Sequence, residues 1–308
     1  MKGRIRGIIM LTTASFIWGT GFAAQRLGME HVGPLTFIAA RFMLGGIVLL
    51  PIILANSFMP GLTPGQDKNR SHGSALRGGL CCGCVLFVCV VLQQVGVIYT
   101  TIGKAGFITA LYIVIVPAFG LFLGIRSKLR TWMCVCAAAV GMYLLCAGES
   151  SSLNKGDVLV FGSAVFFAVH ILVVGRFSRV ADGVRLSCVQ FFTCGALGFV
   201  TAIVFERPAL SGIISAWASI LYAGALSSGL AFTLQTLGQR EINPVTASLL
   251  MSLESVFAAL TGWIVLKETL SAREITGCIL ILSANLLIQT SNADEKTPGR
   301  NRQADAVR

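Results

Sequence analysis

The sequence predicts an all-α integral membrane protein of ten transmembrane helices, arranged as two inverted five-helix repeats. Three observations lead there. Of 308 residues, 55% are hydrophobic and only 12% are charged, against about 25% charged in a soluble domain. Long apolar stretches recur from end to end of the chain. Lys and Arg alternate between rich and poor sides of those stretches. A mean hydropathy of +0.80 asks for lipid as solvent, because one soluble core cannot hide so much apolar surface in a chain of this length.

A bilayer core needs roughly 20 mostly apolar residues per helix. Ten segments meet this: 7–24, 34–55, 78–99, 105–124, 131–148, 157–176, 186–205, 213–236, 244–266 and 274–290. Lys2, Arg4 and Arg6 before the first segment mimic a signal peptide. Recurrence of such segments favours an uncleaved first span. Gly33-Pro34 and Asn243-Pro244 mark helix starts, since proline suits the first helical position. The loop 56–77 is polar, and the tail 291–308 is expected to be a disordered cytoplasmic extension.

With the N-terminus placed in the cytoplasm, 17 of the 24 Lys and Arg fall on the cytoplasmic side and 6 on the other, with Arg41 inside a span. That bias fits a multi-pass protein of the cell (inner) membrane with both termini cytoplasmic. It also accounts for the net charge of +11 without a nucleic-acid partner. The ten cysteines lie in apolar stretches and read as small hydrophobes. Cys81, Cys82 and Cys84 cluster, but no His or second Cys pair at zinc spacing accompanies them. No metal or cofactor is expected.

Ten spans divide into halves 7–148 and 157–290. Lys104–Leu145 and Asn243–Leu286 share an order: a span rich in small residues, a short turn, and a glycine-containing apolar helix. The turns are Ile125-Arg126-Ser127-Lys128 and Lys267-Glu268-Thr269-Leu270. The shift between the two stretches is about 140 residues. Five spans is an odd number, so the second half must face the opposite way. Inverted repeats mark secondary transporters, with the substrate site near the midplane between them.

Particular runs then carry a family pattern. Phe16-Ile17-Trp18-Gly19-Thr20-Gly21-Phe22 resembles the first helix of the EamA family, in the drug/metabolite transporter superfamily, and Pro34 with Ala39-Ala40-Arg41-Phe42 resembles its second. Leu111-Tyr112-Ile113-Val114-Ile115-Val116-Pro117 is similar to the fourth helix. Ser252-Leu253-Glu254-Ser255-Val256-Phe257-Ala258-Ala259, followed by Lys267-Glu268, is similar to the ninth. Ser255 stands where many members have Pro, and Ile125 where many have Glu. The resemblance covers residues 7–290. It implies two EamA repeats and transport of small metabolites or drugs, often export, and it does not choose the substrate.

Six residues are candidates for substrate or coupling-ion contact. Glu254 is eleventh in the span 244–266, where a charge costs roughly 2.5–3.5 kcal/mol on insertion scales. It faces the bundle interior, pairs or carries a proton, so it is a candidate for proton or other cation coupling; otherwise it is hydrogen-bonded helix glue. Arg41 is eighth in the span 34–55. Its stem can reach the interface, or its planar fork can hold an acidic residue or an anionic substrate group. His170 and Gln190 are polar groups inside the sixth and seventh spans, for function or for helix–helix hydrogen bonding. His170 lies in Ala168-Val169-His170-Ile171-Leu172-Val173-Val174-Gly175-Arg176-Phe177, a run that resembles one EamA subgroup. Tyr112 and Trp18 are cavity linings or packing aromatics. Gln93, Gln94, Gln235 and Asn285 rank below these.

Gly79–Gly83 and Gly120–Gly124 are GxxxG spacings, read as packing. Pro117 is expected to loosen the second half of its helix. A membrane enzyme needs clustered catalytic groups, whereas the span interiors offer one Glu, one Arg and one His on different helices. No Walker A run is present, so ATP-driven transport by this chain alone is not expected. A channel calls for charge rings or a filter sequence; a channel or a membrane-embedded sensor stays the alternative to a transporter. Partners implied are a small-molecule substrate and the lipid bilayer, with oligomeric state open.

Overall fold

The computed structural model describes residues 2–58, 72–100, 102–124, 128–146, 154–265 and 271–291. Among these no strand forms. A chain in lipid must satisfy its backbone within each segment, and helices do so. The predicted turns at 125–127 and 267–270 and the tail beyond 291 lie outside the described residues.

The first half contains α1 (Lys2–Met29), α2 (Pro34–Phe58), α3 (His72–Tyr99), α4 (Ile102–Ala110), α5 (Tyr112–Phe122) and α6 (Leu129–Cys146). The second contains α7 (Lys155–Phe177), α8 (Gly183–Phe205), α9 (Leu210–Ser215) and α10 (Trp217–Leu221). A π-helical segment (Tyr222–Phe232) follows, then α11 (Thr233–Glu241), α12 (Pro244–Met251), α13 (Leu253–Val265) and α14 (Ala272–Ser291). Among the described residues, eight segments are long and apolar enough to cross a membrane. Beside them stand α1, 28 residues long, and the shorter apolar helix Leu129–Leu145.

The predicted spans locate these helices, with three corrections. α1 runs beyond 7–24 at both ends, and α3 starts at His72 instead of 78. The expected continuous spans 105–124 and 244–266 are each broken once, at Leu111 and at Ser252. Both break residues have nearly the same backbone, φ −60° ψ −12° and φ −62° ψ −14°. Leu111 N–H donates three residues back to the Ile108 carbonyl (3.2 Å), as Ser252 N–H does to Leu249 (3.2 Å), a local tightening of the helix. The break falls at Leu111, six residues before Pro117, which itself stays inside α5; a proline ring crowds the carbonyl four residues back, here that of Ile113, so the proline does not account for the break. Ser252 reaches its break without proline, its hydroxyl donating to the Leu249 carbonyl at 2.7 Å.

The third correction concerns the span 213–236, which is two short helices, a π segment and the first turn of α11. Its small residues Gly224, Ser228 and Gly229 lie against Gly45 of α2, close enough that a Cβ on Gly45 would stand 3.0 Å from that of Ser228. Backbones this close leave no room for larger side chains. Gly79 and Gly83 pack as their spacing predicts: a Cβ on either would lie 2.5 Å from Val189 or Thr193 of α8. Gly124 does not. It ends the fourth span with φ +74° and open space around it, a left-handed stop that suits glycine.

First-half helices pack on second-half helices: α1 on α11 and α13, α2 on α8 and the π segment, α3 on α7 and α8, and α6 on α14. One core cluster gathers Ile113, Val116, Met142, Leu249, Leu250 and Ile281. Another gathers Phe42, Leu86, Phe191 and Phe232.

Two polar devices fix helix ends. Glu206, just past α8, accepts from the backbone N–H of Leu35 and Thr36 (both 2.7 Å) and from the Thr36 hydroxyl (2.8 Å). It thereby caps α2 from another helix. Glu206→Ala is expected to lower stability by about 1–2 kcal/mol, the usual worth of an N-cap, read as the unfolding midpoint of the protein in detergent. Asp157 is 2% exposed in its side chain and ion-pairs with Lys104 at 2.6 Å. It also accepts from the Thr100 hydroxyl and closes a capping box with Asn154. Asp157→Ala removes the capping box and is expected to cost about 1–2 kcal/mol, the usual worth of a lost cap, in the same assay.

Candidate functional site

The paired helix breaks set up the site. Tyr112 is the first residue after the break at Leu111, and Glu254 the second after Ser252. The side chains of Tyr112 and Glu254 meet across the two halves. The Tyr112 hydroxyl donates to Glu254 Oε1 at a long 3.5 Å. Glu254 is 6% exposed and faces a cavity with about 560 Å³ of empty space, its open mouth included.

Arg41 lines the same cavity and is 3% exposed. It does not snorkel to the interface. Its guanidinium carbon lies 4.8 Å from the Phe42 ring centroid and 5.8 Å from that of Phe37, which is cation–π range. Its Nε has no hydrogen-bond partner, and no acidic side chain among the described residues pairs with it. Both charged side chains predicted from the span interiors thus reach one chamber without a salt bridge.

Trp18 lines the wall. Its indole N–H donates to the Ser227 carbonyl (3.2 Å), and its ring meets Phe232 edge-on at 4.8 Å. α1 comes this near because Gly19 sits on the Glu254 backbone, where a Cβ would be 2.6 Å from the Glu254 carbonyl oxygen. The wall also holds Gln93, which donates to the Thr109 hydroxyl at 3.1 Å, together with Gln25 and Gln235.

Four of the six predicted residues, Glu254, Arg41, Tyr112 and Trp18, therefore share one cavity. The other two do not line it. His170 and Gln190 are fully buried and face each other, Nε2 to Oε1 at 3.2 Å, with the His170 ring edge-on to Phe232 at 6.0 Å. Of the lower-ranked residues, Gln93 and Gln235 line the cavity. Gln94 points to the Met29 sulfur and Asn285 bonds its own helix at the Ile281 carbonyl. Sequence reasoning missed Gln25, one residue past the predicted end of its span. It also missed Thr109 and Ser227, whose hydroxyls carry no signal that separates lining from packing.

The lining favours the half of the bundle away from the N-terminus. Gln25 lies near the end of α1, Gln93 near the end of α3, Arg41 in the first turns of α2 and Thr109 within α4. Aromatic walls with a few placed polar groups suit a small organic ligand. Among the described residues no cluster of His, Cys, Asp or Glu could hold a metal.

Known proteins resemble this chain along nearly its whole length. A transporter of Archaeoglobus fulgidus named as uncharacterized is 27% identical over 287 residues, covering 92% of this chain and 86% of that protein. The uncharacterized inner membrane transporter YedA of Escherichia coli K12 is 24% identical over 300 residues, 92% of each chain. A solved chain titled only as the crystal structure of a protein superimposes with a TM-score of 0.76 at 19% identity, over 95% of this chain and all of that one. It shares the fold. The profile of the EamA-like transporter family matches twice, over residues 5–147 and 154–290. Family, relatives and apolar helices together make this a multi-pass membrane protein of transporter type, and the chain belongs to the EamA-like transporter family.

Proposed function

We propose that the protein is a secondary transporter of the inner membrane that exports small metabolites or drugs by alternating access between two inverted five-helix repeats. Both termini are cytoplasmic in this reading, as the Lys and Arg bias supports. The observation that carries it is the placing of Glu254 and Arg41, unpaired by salt bridge, in one cavity lined by both halves. An unpaired charge in a membrane interior is costly and marks a substrate or ion pathway.

The repeat has its own support. One family profile matches each half. The helix breaks recur at 111 and 252, the shift seen between the two halves of the sequence. Packing also follows a two-fold pattern. Exchange α1 with α7, α2 with α8, α3 with the π segment and α11, α4–α5 with α12–α13, and α6 with α14. The contact of α1 with α11 becomes that of α7 with α3, and α1 with α13 becomes α7 with α5. The contacts α2–α8 and α6–α14 become themselves. Ten spans then comprise the eight apolar segments plus α1 and α6.

Counterflow in proteoliposomes against labelled amino acids, nucleosides, sugars and cationic drugs tests the reading, with empty liposomes as control. Saturable exchange of one class establishes a transporter and names the class. Flux that never saturates favours the channel alternative. Absence of exchange by folded protein across the panel favours a sensor.

A further inference from the structure

Phe232 walls the cavity off from His170. It ends the π segment, is 7% exposed, lines the cavity, and packs edge-on against Trp18 on one flank and His170 on another. Beyond it runs a file of buried polar side chains between α7, α8 and α11. His170 and Gln190 come first, joined at 3.2 Å. One turn further, the Ser187 hydroxyl donates to that of Thr236 at 3.2 Å. Gln239 follows and donates to the Ile171 carbonyl at 3.3 Å. Gln239 is seven residues past Phe232, roughly 10 Å along a helix, and two short of the end of α11. That end lies at the N-terminal face, because Glu241 and Ile242 contact Gly3 and Gly7.

The file is only partly satisfied. His170 Nδ1, Gln190 Nε2 and Gln239 Oε1 have no partner, and neither does Gln235 Oε1 at its cavity end. All four residues are at most 2% exposed. Polar residues retained as helix glue pair with one another, since a buried unmade hydrogen bond costs free energy. Surplus donors and acceptors in line between a ligand chamber and the membrane surface indicate a seam that parts in another state.

We propose that the α7/α8/α11 seam is the second half of the translocation path, closed in this structure by Phe232. His170, Gln190 and Gln239 there exchange hydrogen bonds with water and with uncharged hydroxyl or amide groups of the passing solute. The buried file itself, His170, Gln190, Ser187, Thr236 and Gln239, bears no carboxylate, ammonium or guanidinium; Arg240 and Glu241 stand only at its outer end. This inference rests on alternating access.

Impermeant labelling tests it. Gln239→Cys and, separately, Thr109→Cys are placed in the full chain and exposed to a membrane-impermeant quaternary-ammonium thiosulfonate from either face of sealed vesicles. Intact mass counts adducts above those on the ten native cysteines. Gln239→Cys is expected to gain one adduct from the N-terminal face alone. His170→Leu/Gln190→Leu is expected to raise the melting temperature and to slow counterflow at least tenfold, since it removes unpaired polar atoms and the path together. No adduct at Gln239→Cys from either face, or a lower melting temperature in the double variant, overturns the seam. Thr109→Cys reports separately on the cavity: no adduct there from the opposite face removes the alternating-access reading, whatever Gln239→Cys shows.

Discussion

Glu254→Gln should reduce flux driven by a pH gradient to that of empty liposomes while leaving substrate exchange and folding intact. Gln fills the same space and can still accept from the Tyr112 hydroxyl, 3.5 Å away in the parent protein. It cannot bind and release a proton. The described structure offers Glu254 no cation to pair with, and the break at Ser252 holds it at the cavity wall near mid-span. An uncharged residue of the same size should also keep the melting temperature at or above that of the parent, because an ionised carboxylate at mid-span costs roughly 2.5–3.5 kcal/mol on insertion scales. Flux measured across imposed pH gradients checks the expectation. A variant with unchanged pH dependence would remove Glu254 from coupling. Loss of exchange as well, in folded protein, would make it a contact for a cationic substrate group.

Arg41→Gln should weaken a substrate that carries a carboxylate or phosphate by ten- to a hundredfold, the span of roughly 1.5–3 kcal/mol for a hydrogen bond to a charged group. Arg41→Lys should not restore it. The guanidinium is held over Phe42 and Phe37, and a compact ammonium neither stacks in that way nor presents a fork. Half-saturation in counterflow, with an uncharged analogue of the same substrate as control, separates the outcomes. Equal weakening of both compounds, with a lowered melting temperature, would make Arg41 a packing residue that holds α2 against its aromatic neighbours.

The two charged candidates were legible in the sequence because charge in an apolar span is rare and must be handled. Glu254 and Arg41 declare themselves by cost alone. Tyr112 and Trp18 carried a weaker signal, through the runs that contain them, and both line the cavity. His170 and Gln190 were equally conspicuous, yet they face each other behind Phe232. Periodicity within one helix cannot place a residue on one side or the other of an aromatic from a different helix. Gln25, Thr109 and Ser227 were invisible for the opposite reason: small or neutral polar groups are cheap in membrane helices and serve packing as readily as binding.

Helix breaks show the same division. Pro117 announced a weak point in its span, but the break sits at Leu111, and its counterpart at Ser252 has no proline at all. A break depends on which carbonyls and amides find other partners, and that is settled by neighbouring helices. The π segment is a further case, since nothing in Tyr222–Phe232 except a run of small residues foretells it; in the fold it lies close against Gly45 of α2.

By itself the sequence determined the solvent, the location of most membrane helices and the two buried charges. These follow from hydropathy, length and charge, which are additive along a chain. Only the tertiary structure decided that both charges share one cavity, that Tyr112 faces Glu254, and that Phe232 separates this chamber from the His170–Gln190 seam. Those are relations between residues up to about two hundred positions apart, set by packing across the two halves.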